Sequence, residues 1–313
     1  MTDIYRPNTL ASFTGQPAIT QSLSNILTAA KNRGEPARHM LFYGPSGLGK
    51  STLARVIAEE MKANSVETMA PAIQSIQDLT SILVKIKPGD VLFMDEIHAL
   101  PRKVGEVLYT AIEDWFIEIV AGNEVRMTLR IPLPHFTLVG ATTRLAKVEQ
   151  PLRDRIGKSS TFALDFYNVS TLSSIVMEAA KKLKIQLGAE AQKALAIRGR
   201  GTPRIALDLL KSARDYAEAQ DIPISAKTVK LAAADIGIDD EGLDSMDRKY
   251  LETLIKRFGT GPAGVEAIAS VMNLESSTLD SVIEPWLLRQ GFIERTPRGR
   301  VVTTSGLAHM VKG

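Results

Sequence analysis

The chain has 313 residues, with 38 Lys plus Arg against 35 Asp plus Glu, four His and no Cys. At roughly 100 to 200 residues per domain that length predicts two or three domains, and 44% apolar with 23% charged residues excludes disorder and collagen-like repeats. The lack of Cys excludes disulfides, iron-sulfur clusters and thiolate zinc, and a net charge of +3 is too small to indicate nucleic acid by itself.

The opening segment MTDIYRPNTL has no signal-peptide core, and no apolar run is long enough to span a bilayer, so a cytoplasmic protein without a membrane partner is expected. The first half then alternates apolar runs with amphipathic stretches. MLFYG (40–44), SVETM (65–69), DVLFMDE (90–96), HFTLVGATT (135–143) and TFALDF (161–166) read as strands, and Leu53, Val56, Ile57 and Met61 recur at helical spacing between the first two. That order predicts an α/β fold with a parallel sheet covered by helices. Residues 117–131 break the rhythm and read as an inserted hairpin turning at Gly122 and Asn123.

After about residue 167 the pattern is helical: 169–183, 189–198, 204–219 and 226–234, a small bundle. GIDDEGLD (237–244) reads as a hinge. Beyond it, MDRKYLETLIKRF, GVEAIASVM and SSTLDSVIEPWLLRQ read as three helices, the last opening at Ser277 with Asp280 placed as in a capping box. FIERTPRGRVVTT follows as two short strands around Pro297, Arg298 and Gly299, which completes the outline of a winged helix-turn-helix. The expected domains are 1–167, 168–238 and 239–313.

The chemistry is carried first by GPSGLGKS, residues 44–51, between a strand and an amphipathic helix. In this pattern Gly44, Gly47 and Gly49 let backbone N–H groups curl around phosphate oxygens. Lys50 reaches the β and γ phosphates, and the Ser51 hydroxyl is a Mg²⁺ ligand. Thr52 either holds a further phosphate oxygen or simply opens the helix. About forty residues on, VLFMDE brings Asp95 to the metal and Glu96 to the place where a carboxylate orients and deprotonates the attacking water. The pair predicts Mg²⁺-dependent nucleoside triphosphate hydrolysis. His98 follows in DEIH, a helicase-like sequence, but the chain has no room for a second RecA-like core, so His98 reads as a supporting or core residue. His39, His135 and His309 show no metal-ligand spacing.

With these elements in place, the chain resembles an AAA+ ATPase, and within that group it is similar to the RuvB family of Holliday-junction branch-migration motors. The similarity runs in order through RPNTLASFTGQ (6–16), GPSGLGKST (44–52), LFMDEIHAL (92–100), EDW (113–115), FTLVGATTR (136–144), PLRDRIG (151–157), DFY (165–167), RGTPRIA (200–206), GLDSMDR (242–248) and GFIERTPRGR (291–300). It implies an AAA+ P-loop core, a helical lid and a C-terminal winged helix, with ATP as the nucleotide.

The resemblance also implies roles. Tyr5 and Arg6 lie by the adenine and ribose, with Tyr167 on the base. Thr143 or Thr142 is the sensor 1 hydroxyl, and Arg204 in GTPR is sensor 2. Arg155 is the arginine finger given to a neighbour's ATP, with Arg153 its nearest competitor and a surface ion pair the plain alternative. Glu113, Asp114 and Trp115 fall near the nucleotide interface, although Trp115 also reads as core. The family works as a homohexameric ring on the duplex arms of four-way junctions in recombination and DNA repair. It docks on a RuvA-type partner through hairpin 117–131, here with Ile119, Val120, Val125, Met127 and Leu129, and a RuvC-type resolvase can share the complex. This chain departs from the family in Ser46, where proline is usual, in Ala99, where a basic residue is usual, and in a shorter hairpin.

The charge distribution bears on the DNA reading. Residues 241–284 hold four Lys/Arg against eight Asp/Glu, whereas 285–313 hold five against one. Arg295, Arg298 and Arg300 flank the Pro-Gly turn, a placement suited to a phosphate track, and the family's DNA contacts correspond to Arg295 and Arg300. A solvated basic turn is the competing reading. No set of base-reading side chains is evident, so sequence-tolerant binding is expected. The rival functions are a clamp-loader or initiator-type ATPase and a nucleotide-gated DNA-binding regulator.

Overall fold

The computed structural model describes residues 5–121 and 127–312. Their contacts divide the chain into two compact units, residues 1–44 with 48–165, and residues 45–47 with 166–313.

The first unit begins with α1 (Pro17–Arg33), which has proline at its opening and Gly34 in the left-handed conformation at its end. Its Ile19, Leu23, Leu27 and Ala30 recur every three or four residues and are buried. There follow β1 (Met40–Tyr43), α2 (Lys50–Met61), β2 (Ser65–Met69), α3 (Ile76–Leu83), β3 (Val91–Asp95) and α4 (Arg102–Glu113). The hairpin β4 (Phe116–Ala121) and β5 (Met127–Pro132) comes next, then β6 (Thr137–Thr142), α5 (Gln150–Ile156) and β7 (Thr161–Ala163).

Strands β2, β3, β6, β1 and β7 form one parallel sheet in that order. The central β6 is buried along its whole length, which is why its sequence is a continuous run of apolar and small residues, whereas the edge strand β2 alternates between exposed and half-buried positions. Leu41, Leu92, Met94 and Leu138 pack with Leu79, Leu83, Leu108 and Ile112 from α3 and α4. His39 joins the layers: Leu138 N–H donates to its Nδ1 at 2.9 Å, and its Nε2 lies 3.0 Å from the Ile112 carbonyl. This pairing requires the neutral tautomer with the proton on Nε2, and burial accordingly lowers the His39 pKa despite that hydrogen bond to Ile112.

The inserted hairpin is antiparallel, with Ile117 opposite Ile131 and Ile119 opposite Leu129. Ile117 is fully buried and anchors its base. The expected turn residues Gly122 and Asn123, and Val125, lie outside the described residues.

The second unit contains the bundle α6 (Val169–Lys182), α7 (Ala189–Arg198), α8 (Pro203–Gln220) and α9 (Ala226–Asp235). It continues with α10 (Ser245–Phe258), α11 (Val265–Met272), α12 (Ser276–Thr278), a π-helical turn (Leu279–Ile283) and α13 (Glu284–Arg289). The antiparallel strands β8 (Ile293–Thr296) and β9 (Gly299–Val302) and a final helix α14 (Thr304–Lys312) complete it. Tyr250, Leu251, Leu254, Ile268, Leu279, Leu287 and Ile293 form the core beneath the wing.

The capping box expected at Ser277 and Asp280 does not form. The helix starts two residues earlier, with Glu275 as its cap position, and the Ser277 hydroxyl donates to the Glu275 carboxylate at 3.1 Å. Asp280 instead accepts from two guanidiniums, which are stronger partners for a carboxylate than a neutral N–H. A capping box does occur at Asp244 and Asp247, where α10 opens.

The Gly and Asp segment read as a hinge is tied on both sides. Arg198 and Lys230 bind Asp240 at 2.5 and 2.7 Å, and Arg200 binds Asp244 at 3.3 Å and Asp247 at 2.6 Å. Arg248 donates to the Gly237 and Leu243 carbonyls, and His309 meets Asp239 at 2.9 Å. No helix among the described residues is long and apolar enough to cross a membrane.

Candidate nucleotide and DNA sites

In a parallel sheet the strand carboxyl ends open onto the face where ligands bind, at the place where strand order reverses. Here β1 pairs with β6, and β6 pairs with β3. The segments after these three neighbouring strands carry the phosphate loop, the Asp95 and Glu96 pair, and Thr142 with Thr143.

The phosphate loop needs glycine on steric grounds. Gly44 sits at φ 139° and a Cβ there would come within 2.3 Å of the Leu164 carbonyl oxygen, and Gly49 at φ 103° turns the chain into α2. No acidic residue occupies the first turn of α2, so its N-terminal partial charge is left for an anion. Lys50 is buried, and its ammonium donates to the Gly44 carbonyl at 2.8 Å. Ser51 and Thr52 follow on the same turn, both half-buried. Arg6 and Thr52 line a cleft with Arg55, Ser65 and Glu67, and Tyr5 is half-buried at the start of the described chain.

Asp95 ends β3 and accepts from the Glu96 N–H at 2.9 Å. Glu96 is in the left-handed conformation at φ 50°, an uncommon backbone for a glutamate. Its Oε2 lies 3.4 Å from the Thr143 N–H and 3.3 Å from the Thr143 hydroxyl. The Thr142 hydroxyl faces elsewhere, accepting from Arg144 N–H and meeting His98 Nδ1 at 2.9 Å. His98 Nδ1 is also 3.1 Å from Glu96 Oε2. Burial, with Arg144 and Lys147 nearby, lowers the His98 pKa in spite of that carboxylate. His98 thus lies between Glu96 and the Thr142 hydroxyl.

Arg155 and Glu113, 42 residues apart, are brought together: Arg155 Nε donates to Glu113 Oε2 at 2.5 Å and the guanidinium lies over the Tyr109 ring. Arg153, the rival finger, donates to Gln150 at 2.6 Å. Asp114 is exposed at the end of α4. Trp115 stacks on His135 at 4.3 Å between centroids and packs at the edge of the core, in keeping with the core alternative.

In the second unit Arg204 donates from Nη1 to the Ser46 hydroxyl at 3.2 Å, a bond that proline at position 46 could not accept. Tyr167 is buried, and its N–H donates to the Gly201 carbonyl. On the wing, Arg295 and Arg300 face each other across the hairpin, one residue inside the Thr296 and Gly299 pair that closes it, and Arg298 is exposed at the tip. Both Arg295 and Arg300 bind Glu284 and Asp280.

Three family models cover nearly all of this chain. The Holliday junction DNA helicase RuvB P-loop domain matches residues 5–162, the RuvB AAA lid domain 167–239 and the RuvB C-terminal winged helix domain 240–311. The chain belongs to the RuvB family. It is 48% identical over 307 residues to the Holliday junction branch migration complex subunit RuvB of Thermomicrobium roseum, covering 97% of this chain and 86% of that one. The corresponding protein of Lacticaseibacillus casei is 45% identical, with 97% and 90% covered. Among solved structures, the Thermotoga maritima RuvB Holliday junction branch migration motor superposes with a TM-score of 0.90 at 42% identity over 99% of both chains.

Membership in the RuvB family makes this chain a P-loop ATPase of the Holliday junction DNA helicase type. The sequence allowed an ion pair at Arg155 without naming Glu113 as its partner, and it gave no sign of the carboxylates that face the wing arginines. A two-residue turn at Pro297 and Arg298 does place Arg295 opposite Arg300, but it does not identify Asp280 and Glu284 as their partners.

Proposed function

We propose that this RuvB-family chain is an ATP-driven motor subunit that migrates four-way DNA junctions, working as a homohexameric ring on duplex arms beside a RuvA-type partner. The observation that carries the reading is the grouping of Lys50, Asp95, Glu96 and Thr143 at the ends of three adjacent strands, in a chain whose winged helix opposes two arginines on its hairpin.

Lys50, freed from the Gly44 carbonyl, would meet the terminal phosphates, and the loop N–H groups the remaining oxygens. Ser51 and Asp95 would hold Mg²⁺, a small protein share typical of an ion that keeps substrate phosphates and water as its other ligands. Bound Mg²⁺ would supply charge neutralisation on the phosphates. Glu96 takes the proton of the attacking water, with Thr143 and His98 setting its position. Arg155, released from Glu113, stabilises charge at a neighbouring subunit's site, and Arg204 and Tyr167 act from the lid. Leu129, about half exposed on β5, supports the hairpin as the docking element for the partner.

The test is a synthetic four-way junction incubated with ATP, Mg²⁺ and a RuvA-type protein. Strand products that require ATP and vanish with Glu96→Gln are expected. Steady ATP hydrolysis without strand products would overturn the motor reading.

A further inference from the structure

Two carboxylates face the wing arginines, and they differ in depth. The Glu284 side chain is 0% exposed. Its Oε2 accepts from Arg295 Nε at 2.9 Å and Nη2 at 2.6 Å, and its Oε1 accepts from Arg300 Nε and the Tyr250 hydroxyl, both at 2.9 Å. The Asp280 side chain is 47% exposed, and a single oxygen, Oδ1, receives Nη2 of Arg295 at 2.9 Å and Nη2 of Arg300 at 2.7 Å. Arg295 is itself 46% exposed. Two guanidiniums thus converge on one solvent-facing anionic oxygen while a second, buried anion fixes them from behind.

We propose that Asp280 is an internal stand-in for a DNA backbone phosphate, displaced from Arg295 and Arg300 when duplex binds the wing. The inference rests on the reading that the wing meets DNA. Convergent N–H donors from two arginines form the kind of charge-assisted site that takes a phosphate oxygen. Glu284 is too deep to be exchanged and keeps both side chains ordered, so DNA meets a formed site and little side-chain entropy is lost on binding. Asp280 is exposed enough to turn into water. Its presence means that DNA gains only the difference between a phosphate and a carboxylate at this site. That keeps the grip weak and reversible, which suits a surface that must release each phosphate in turn. It also leaves one cationic contact already neutralised in the free protein, so fewer counterions are released than the arginine count suggests.

The experiment is fluorescence anisotropy of the full-length protein on a short labelled duplex across a salt series. Asp280→Asn keeps the shape and one acceptor but removes the charge. It should tighten duplex binding about 3- to 10-fold and steepen the logarithmic salt slope by about one, the value for one more phosphate contact. Asp280→Ser should do the same, which guards against a folding defect peculiar to one variant, and Arg295→Ala placed in the Asp280→Asn background should abolish the gain. If both Asp280 variants match wild type in affinity and slope while Arg295→Ala weakens binding, the stand-in is wrong and the wing reading stands. If Arg295→Ala and Arg298→Ala also leave affinity and slope unchanged, the wing reading itself fails and takes the inference with it.

Discussion

Arg155 Nε donates to Glu113 Oε2 at 2.5 Å, so the guanidinium read as a trans-acting finger is held at rest by a carboxylate of its own chain. The Arg155 side chain is one-third exposed and Glu113 more than half. A pair so placed contributes at most about 1 kcal/mol, less than a triphosphate offers in exchange.

Arg155→Ala should therefore lower ATP turnover by about 10³ or more with nucleotide affinity little changed, whereas Glu113→Gln should retain most turnover. Mixed with Lys50→Ala subunits, Arg155→Ala subunits should recover part of the activity. Titrating the two variants against each other in a steady-state ATPase assay checks this, and a flat response at every ratio would place the finger elsewhere.

Glu96→Gln should bind ATP and hydrolyse it about 10² to 10⁴ times more slowly, the usual contribution of a positioned base. Thr143→Val removes the hydroxyl 3.3 Å from Glu96 and leaves the backbone N–H. It should reduce kcat with little change in nucleotide Kd. Equal losses in kcat and affinity would point to a damaged loop instead of a misplaced base.

His39 gives a pH signature. Burial holds its pKa below 6.5, so the folded form stays neutral at a pH where the unfolded chain takes up a proton. The unfolded state then binds more protons, and stability falls as pH drops from about 6.5. Burial, against the pull of Arg200, raises Asp247 to about 6, and this acts in the opposite direction between roughly 4 and 6. The comparison is therefore between wild type and His39→Gln, which should have a flatter Tm profile from pH 6.5 to 5. Parallel profiles would remove His39 as the source.

Arg200 and Asp247 form a nearly buried ion pair, with side chains 10% and 1% exposed. Arg200→Met should destabilise the second unit by about 3 to 5 kcal/mol because it strands Asp247. Adding Asp247→Leu should restore part of that loss, since an apolar pair avoids the desolvation cost but forfeits the capping bond from Asp244 N–H. Urea unfolding of the single and double variants measures the difference.

Much of the site was legible because its parts are local. The glycines of 44–49 have to precede a helix, and VLFM is continuously apolar because its strand is buried there. The Glu96–Thr143 contact follows once β3 and β6 are neighbours, but nothing in either segment announces that pairing. Glu113 and Arg155 meet only because α4 and α5 pack together, which no spacing rule encodes. Asp280 misled because its local environment fits a cap while two arginines fifteen and twenty residues away compete for it. Charge counted by segment likewise marked the wing as basic but could not reveal that its arginines are already paired.

The clasp of Arg198, Arg200, Lys230 and Arg248 around residues 237–244 has a mechanical meaning. Bending there would pull Asp247 from Arg200 inside a nearly buried contact, so the segment resists flexing more than its Gly and Asp content suggests. The helices α6–α9 and the hairpin β8–β9 fall within the same compact unit, with these pairs spanning the segment that joins them.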